Sequence, residues 1–540
     1  MSAPTAAEAA SHSSAWAPFR HRVFAAMWAA QLVSNVGGWM QTVGAQWLML
    51  TLTGSAAYVA LVQTASGLPV VLFAPLAGAI GDLVDRRRFL LITQTAMPVA
   101  ALVLAGLTIA NLVSPWSLLL LVFAVGTGQA LTSPTWQTLQ PELVDGADRT
   151  QAIALGAVNQ NLARAIGPAL GGLILAAAGT GSVFLINSAS FLAVIWVLAW
   201  WHSSTRAPTS QLPPEHLGVA LRAGARYVAA SPALLVILLR ATVFIVFASA
   251  LWALLPVIAQ GALQLSSSGY GLLLGSVGIG AVAGGALLPI LRKRMSPDVL
   301  FGTGSVIFAG VVLIVGYVPI SAVVGASLLL GGMAWILVLS TLNSLYQLTL
   351  PQWVRARGMA FYLIAFQGGN ALGSATSGVL AQKLGLMPAL TIAAIGLTIS
   401  ACLGIWRRFQ TIQPDDLLPA GDWPSPHLVA GSEETGPTLV TVEYWAQAGA
   451  EDNLIAALRD TRFSRRRTGA SSWRVWRDSN DPGHVVEEFV VASWQEHQRQ
   501  HARVTVRDQA RLERVRALTN PVRPTAVRHW VAPSSGGTRE

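Results

Sequence analysis

Stretches of about 20 apolar residues recur along this 540-residue chain. Each is long enough to cross the roughly 30 Å of hydrocarbon in a bilayer at about 1.5 Å per helical residue. Twelve can be marked off, at 24–52, 57–81, 89–111, 115–140, 150–178, 181–201, 233–259, 267–291, 299–318, 320–347, 359–382 and 387–406. Backbone groups in lipid have no water to bond, so such segments must be helices. Charge is correspondingly scarce: residues 1–410 hold 8 acidic and 19 basic side chains, against 17 and 16 in residues 411–540. The chain therefore reads as an all-α polytopic membrane protein with a soluble segment beyond about Phe409. The first run begins after Arg22 and is longer than the roughly 7–15 apolar residues of a secretion signal, so it is read as an uncleaved span.

Basic residues sort to one face. Arg20, Arg22, Arg86, Arg87, Arg88, Arg149, Arg206, Arg222, Arg226, Arg292, Lys293, Arg294, Arg355, Arg357, Arg407 and Arg408 share it under twelve spans, with Lys383 on the other. Short cytoplasmic loops retain positive charge, which puts both termini and the 202–232 connection in the cytoplasm, as for a multi-pass protein of the bacterial inner membrane. The net charge of +10 belongs to these loops, and no nucleic-acid partner is expected. The single cysteine, Cys402, excludes an intramolecular disulfide and a thiolate cluster.

A shift of 206 positions aligns the chain with itself. Asp85-Arg86-Arg87-Arg88 falls on Leu291-Arg292-Lys293-Arg294, Ala165 to Ala169 on Ala371 to Ala375, and Gly172 on Gly378. Two parallel six-helix halves that rock about a midplane cavity are the known use of such a repeat, for which the major facilitator superfamily is a standard example. The predicted organisation is a tail (1–22), a first bundle (23–201), a connection (202–232), a second bundle (233–408), a linker (409–437), a soluble domain (438–533) and a tail (534–540).

The loop after the second span, Gly78-Ala79-Ile80-Gly81-Asp82-Leu83-Val84-Asp85-Arg86-Arg87-Arg88, resembles the gating signature of the major facilitator superfamily. The resemblance implies gating residues Gly78, Asp82, Asp85, Arg86 and Arg87, with Asp82 latching onto the start of the eleventh helix near Gly358. The arginines would pair with acids of a neighbouring loop. The second-half copy has Leu288 and Leu291 where the aspartates stand, so one half supplies the latch. In the fifth span, Arg164, Gly167, Pro168, Gly171 and Gly172 resemble the family's antiporter motif, in which proline and small residues let helices bend and pack closely. Ser34 to Gln41 and Gly44 to Met49 resemble the branch that includes the enterobactin exporter, many members of which carry a soluble C-terminal extension. That resemblance implies efflux of a small organic molecule such as a siderophore, drug or metabolite, by alternating access with proton antiport.

Polar groups inside spans are costly unless they meet a cavity or a partner. Gln31, Asn35, Thr42 and Gln46 keep one helical face, and Gln129, Gln137, Asn343, Gln367 and Asn370 add amides from other spans. Trp39, Trp136 and Trp335 could stack on a cargo. Arg164 and Arg240 fall inside predicted helices, and no acid is found within a span to neutralise them. A substrate set of Gln31, Asn35, Trp39, Gln129, Gln137, Arg164, Arg240, Asn343, Gln367 and Asn370 follows, with an anionic or aromatic cargo. Proton coupling would fall to the edge acids Asp82, Glu142 and Asp145. No ATP loop, cofactor or metal site is expected.

Beyond the linker the period changes. Strands at 439–445, 473–477, 485–492 and 524–531 alternate with helices at 451–467 and 494–518, an order that suggests a ferredoxin-like fold. It resembles dimeric α+β barrel domains that include small monooxygenases and noncatalytic sensors. His497 and His501 are read as a solvated helix face. The domain is expected to regulate, dimerise or stabilise the protein. The competing readings are a membrane-anchored enzyme or sensor working through this domain, and an importer of the same fold.

Overall fold

The computed structural model describes residues 16–83, 86–145, 148–201, 217–410, 412–420 and 436–532. Its long helices are α1 (Arg22–Thr53), α2 (Ala56–Leu83), α3 (Arg86–Ile109), α4 (Pro115–Leu139), α5 (Arg149–Trp200), a shorter α6 (Leu217–Ala229), α7 (Pro232–Gly261), α8 (Ser267–Arg294), α9 (Pro297–Tyr317), α10 (Ser321–Leu348), α11 (Arg355–Leu384) and α12 (Leu386–Trp406). The chain divides into two compact units. One is Met1–Gln211, Leu239–Asn343 and Tyr362–Arg408; the other is Leu212–Leu238, Ser344–Phe361 and Phe409–Glu540.

Local chemistry accounts for the helix boundaries. Gly54 ends α1 in the left-handed region at φ 61°, its N–H bonding the Leu50 carbonyl at 2.8 Å. Ser114 and Ser117 form a capping box ahead of Pro115 in α4. α5 is too long for one crossing and turns at Gly179, whose φ of 80° and ψ of 174° break it into two arms. Among the described residues, nine helical stretches are long and apolar enough to cross a membrane, with α5 counted once. α1 and α11 do not reach that apolarity, and they carry much of the predicted amide set. The helix α6, inside the expected connection, was not foreseen.

In the first unit, small residues set the helix crossings. A Cβ on Gly171 would stand 2.8 Å from the Met40 Cα, and one on Gly284 the same distance from that of Met333, so α5 lies on α1 and α8 on α10 at backbone contact. Two halves meet along a seam. Gly172 abuts Gly271, and Gly278 abuts Ala165. Thr64 donates to the Ala371 carbonyl at 3.0 Å, and Gln46 accepts from the Tyr270 hydroxyl at 2.7 Å. These contacts lie toward the end of the bundle where α1 gives way to α2.

In the second unit, β1 (Thr438–Trp445), α13 (Glu451–Thr468), β2 (Ala470–Arg477), β3 (His484–Val491), α14 (Trp494–Ala502), α15 (Val506–Ala517) and β4 (Ala526–Val531) follow in order. The four strands form one antiparallel sheet in the order β2-β3-β1-β4. Strands β1 and β3 alternate buried and half-buried positions. Their inward residues, Val440, Val442, Tyr444, Val485, Phe489 and Val491, pack with Leu454 and Leu458 of α13 and Val515 of α15.

Candidate functional site

In the first half, α1 and α5 are tied by a chain of amides. Gln31 Nε2 donates to Asn35 Oδ1 at 3.0 Å, Asn35 Nδ2 to Asn159 Oδ1 at 2.9 Å, and Asn159 Nδ2 to the Trp28 carbonyl at 2.8 Å. Asn159 is buried and was missed from sequence, although an amide on the helix that carries Arg164 was a readable signal. Gln31 Oε1 is buried and has no partner among the described residues. Deeper along the same helices Gln41 pairs with Asn187, and beside them a small cavity of about 40 Å³ is bordered by Gly38, Thr42, Ser66 and Gln129.

Arg164 stands next to this network. Its guanidinium carbon is 5.3 Å from the centre of the Trp39 ring, a cation–π distance, and its Nε is buried with no hydrogen-bond partner among the described residues. The antiporter-type motif holds it there. Gly167 approaches the Val36 carbonyl and the Trp39 Cβ, Gly171 the Met40 backbone, and the Pro168 carbonyl and Gly172 face Gly271 across the seam. Any side chain at Gly167 or Gly172 would collide. Gln367 and Asn370 of α11 lie beside Gly67 of α2, where the halves face each other, and Asn343 is half-buried on α10.

Several expectations are corrected. Arg240 is fully buried and paired with Asp298, in the first turn of α9, with its guanidinium 4.3 Å from the centre of the Phe301 ring. A carboxylate is therefore present to neutralise it. Its signal was weak because Asp298 sits at a helix start, where an acid has its own reason to be. Trp335 is packed among Phe244, Trp252 and Phe308, and Trp136 lies in the core of the first half, so neither is free to stack on a cargo. Among the described residues Arg87 bonds no acid. It donates to the Leu198 and Ala199 carbonyls at 2.9 and 2.7 Å, closing the C-terminal end of α5. The side chains of Gly78, Asp82, Asp85, Arg86, Gln137 and Glu142 lie outside the described residues.

The second unit is rich in ion pairs. Glu496 accepts from Arg226 at 3.0 Å and from Arg503 at 2.7 Å, and Arg503 lies 4.5 Å over the Trp353 ring. His497 is buried rather than solvated, against Trp494, His501 and His529. Burial, with His501 and His529 beside it, pushes its imidazole down to about 3, so it is neutral near pH 7.

A many-helix bundle in two halves, with a seam of glycines and a polar interior, defines a transporter of the major facilitator type. The chain belongs to the transmembrane secretion effector family of that superfamily, whose model matches residues 13–536. It is 26% identical to the enterobactin exporter of Salmonella typhimurium over 410 residues, covering 73% of this chain and 95% of that protein. It is 31% identical to the staphyloferrin A transporter of Staphylococcus aureus over 175 residues, which spans 32% of this chain and 44% of that transporter. Among solved structures, a bacterial homologue of the iron transporter ferroportin, inward-facing, superposes with a TM-score of 0.58 at 16% identity, over 71% of this chain and 98% of that one. A bacterial homologue of the lysosomal transporter Spinster, also inward-facing, gives 0.56 at 16% identity, over 73% and 96%. The protein is a multi-pass secondary transporter related to siderophore exporters.

Proposed function

We propose that the protein exports a small organic anion, of siderophore or similar metabolite type, across the bacterial inner membrane by alternating access. The observation that carries this reading is Arg164: a guanidinium deep in a membrane helix, resting on Trp39, with its Nε unmatched and no carboxylate paired to it among the described residues. A charge so placed is costly unless a ligand or water completes it. An anionic group on Arg164 and an aromatic or apolar part against Trp39, with Gln31, Asn35, Gln129, Asn343, Gln367 and Asn370 as its polar contacts, form the proposed cargo site, to which the sequence reading adds Gln137.

In this reading the bundle crosses twelve times, the arms of α5 counting separately, with both termini cytoplasmic. The seam contacts then lie on the outer side, and the state is open to the cytoplasm. The Asp82 loop latches that mouth in the opposite state. Protons drive export through Asp82, Glu142 and Asp145. The soluble domain is ferredoxin-like in strand order and dimerises or regulates.

The test uses inverted membrane vesicles with a catecholate or carboxylate siderophore. Uptake into the vesicles driven by an imposed proton gradient and lost in Arg164→Gln is the expected result. Accumulation in right-side-out vesicles instead would make the protein an importer. Unaltered pH dependence after Asp82, Glu142 and Asp145 are neutralised together would remove proton coupling through them.

A further inference from the structure

The second unit contains a partly open cavity of about 240 Å³ in which arginines outnumber the carboxylates that face them. Arg467 of α13 is 8% exposed and bonds Asp508, and Arg511 of α15 reaches the same carboxylate at 3.4 Å. Arg507 lines the same space and has no carboxylate partner among the described residues. Three guanidinium groups around one carboxylate leave positive charge unmatched. The Arg511 guanidinium is accordingly held below its usual range by burial and by Arg467 and Arg507, although Asp508 works the other way. Exposed Arg514 and Asp460 line the rim, and Asp460, like Asp508, works to raise Arg511.

The opposite wall comes from α6. Tyr227 is buried there, and burial pushes its hydroxyl up to about 12, so it stays a neutral donor. Phe463 and Leu417 supply an apolar lining. Clustered buried cations persist where an anion completes them.

We propose that this cavity binds a small anion bearing a phosphate or carboxylate group, held by Arg507 and Arg511 and accepting a hydrogen bond from Tyr227. The space is smaller than the roughly 300–1,000 Å³ of a drug-sized pocket, which limits the ligand to a small metabolite or a lipid headgroup. Its walls come from α13 and α15 together with Pro232 at the start of α7 and Thr349 at the end of α10, so an occupant fastens the soluble domain to the segments that lead into those helices. The site is separate from the cargo site and does not depend on the direction of transport.

The full-length protein in phosphatidylcholine nanodiscs is titrated calorimetrically with inorganic phosphate and with citrate at ionic strength fixed by chloride. Saturable binding is expected, weakened about tenfold or more by Arg507→Glu, largely restored by Arg507→Lys, and weakened about threefold by Tyr227→Phe. Arg514→Gln, at the rim, leaves the affinity within about twofold. If Arg507→Glu does not fold, Arg507→Gln and Tyr227→Phe carry the same test. A second titration in phosphatidylglycerol nanodiscs separates the sources: phosphate binding blocked there identifies the lipid headgroup as occupant, and binding preserved identifies a free anion. Heats no larger than those of chloride alone, or an affinity unmoved in well-folded Arg507 variants, overturn the proposal.

Discussion

Buried arginines are handled differently in the two units. In the C-terminal unit Glu487 is fully buried and accepts from Arg465 Nε and Nη2 at 3.1 and 3.0 Å, from Trp473 at 2.9 Å and from Tyr444 at 3.1 Å. Burial alone would push the Glu487 carboxyl up, but Arg465 and these donors hold it below the usual carboxylate range. Arg465, which burial would push down, is raised by the same carboxylate. In the helical unit Arg240 follows that pattern with Asp298, whereas Arg164 meets a tryptophan face. An arginine whose charge is matched inside the fold is scaffold. One left unmatched in a membrane interior is available to a ligand.

The comparison breaks or sharpens on five measurements. The largest effect is expected from Glu487→Gln, which keeps the shape and strands Arg465: the C-terminal unit should lose about 3–5 kcal/mol in denaturant unfolding followed by tryptophan fluorescence. If Arg164→Gln destabilised the protein as much, the distinction between scaffold and site would fail. Asp298→Asn should cost the helical unit about 2–3 kcal/mol, less because the Asp298 side chain is 24% exposed, and Arg240→Met with Asp298→Leu should recover most of it, both read as melting in detergent.

Acid should act on the C-terminal unit through His497. The unfolded imidazole takes a proton near pH 6.5 while the folded one resists until about 3, so stability present above pH 6.5 is lost as pH falls. The loss by pH 5 should be about 2 kcal/mol, and His497→Phe should flatten that slope. Arg164→Gln should slow export of an anionic cargo about tenfold, equivalent to about 1.4 kcal/mol, with stability changed by less, and Arg164→Lys should restore part of the rate. The smallest change is expected from Arg87→Gln, which removes a C-terminal helix contact worth about 0.5 kcal/mol and leaves cargo selectivity unaltered.

Much of the architecture was legible because it rests on local quantities. Apolar runs and the strand-like pattern from Val485 are properties of neighbours in the chain, and the helices and strands follow them. The same holds for the antiporter-type motif: Gly167, Gly171 and Gly172 read as a packing surface, and backbone contact at 2.7–3.0 Å from their added Cβ positions is where they lie. The site was legible in part. Amides and arginines inside spans stood out by composition, but whether each meets a ligand or a neighbour was not written next to it.

The sequence by itself determined a polytopic helical bundle followed by a C-terminal segment with strands, because transfer of apolar residues from water and the period of a helix or strand are summed over adjacent positions. Only the tertiary structure decided that Arg240 finds Asp298, 58 positions away, that Trp335 belongs to the core and that His497 is dry. It also gathered Tyr227 with Arg467, Arg507 and Arg511 around one cavity. Pairings of that kind depend on which distant helices the packed fold brings together, and Coulomb and hydrogen-bond energies become decisive there because water has been excluded.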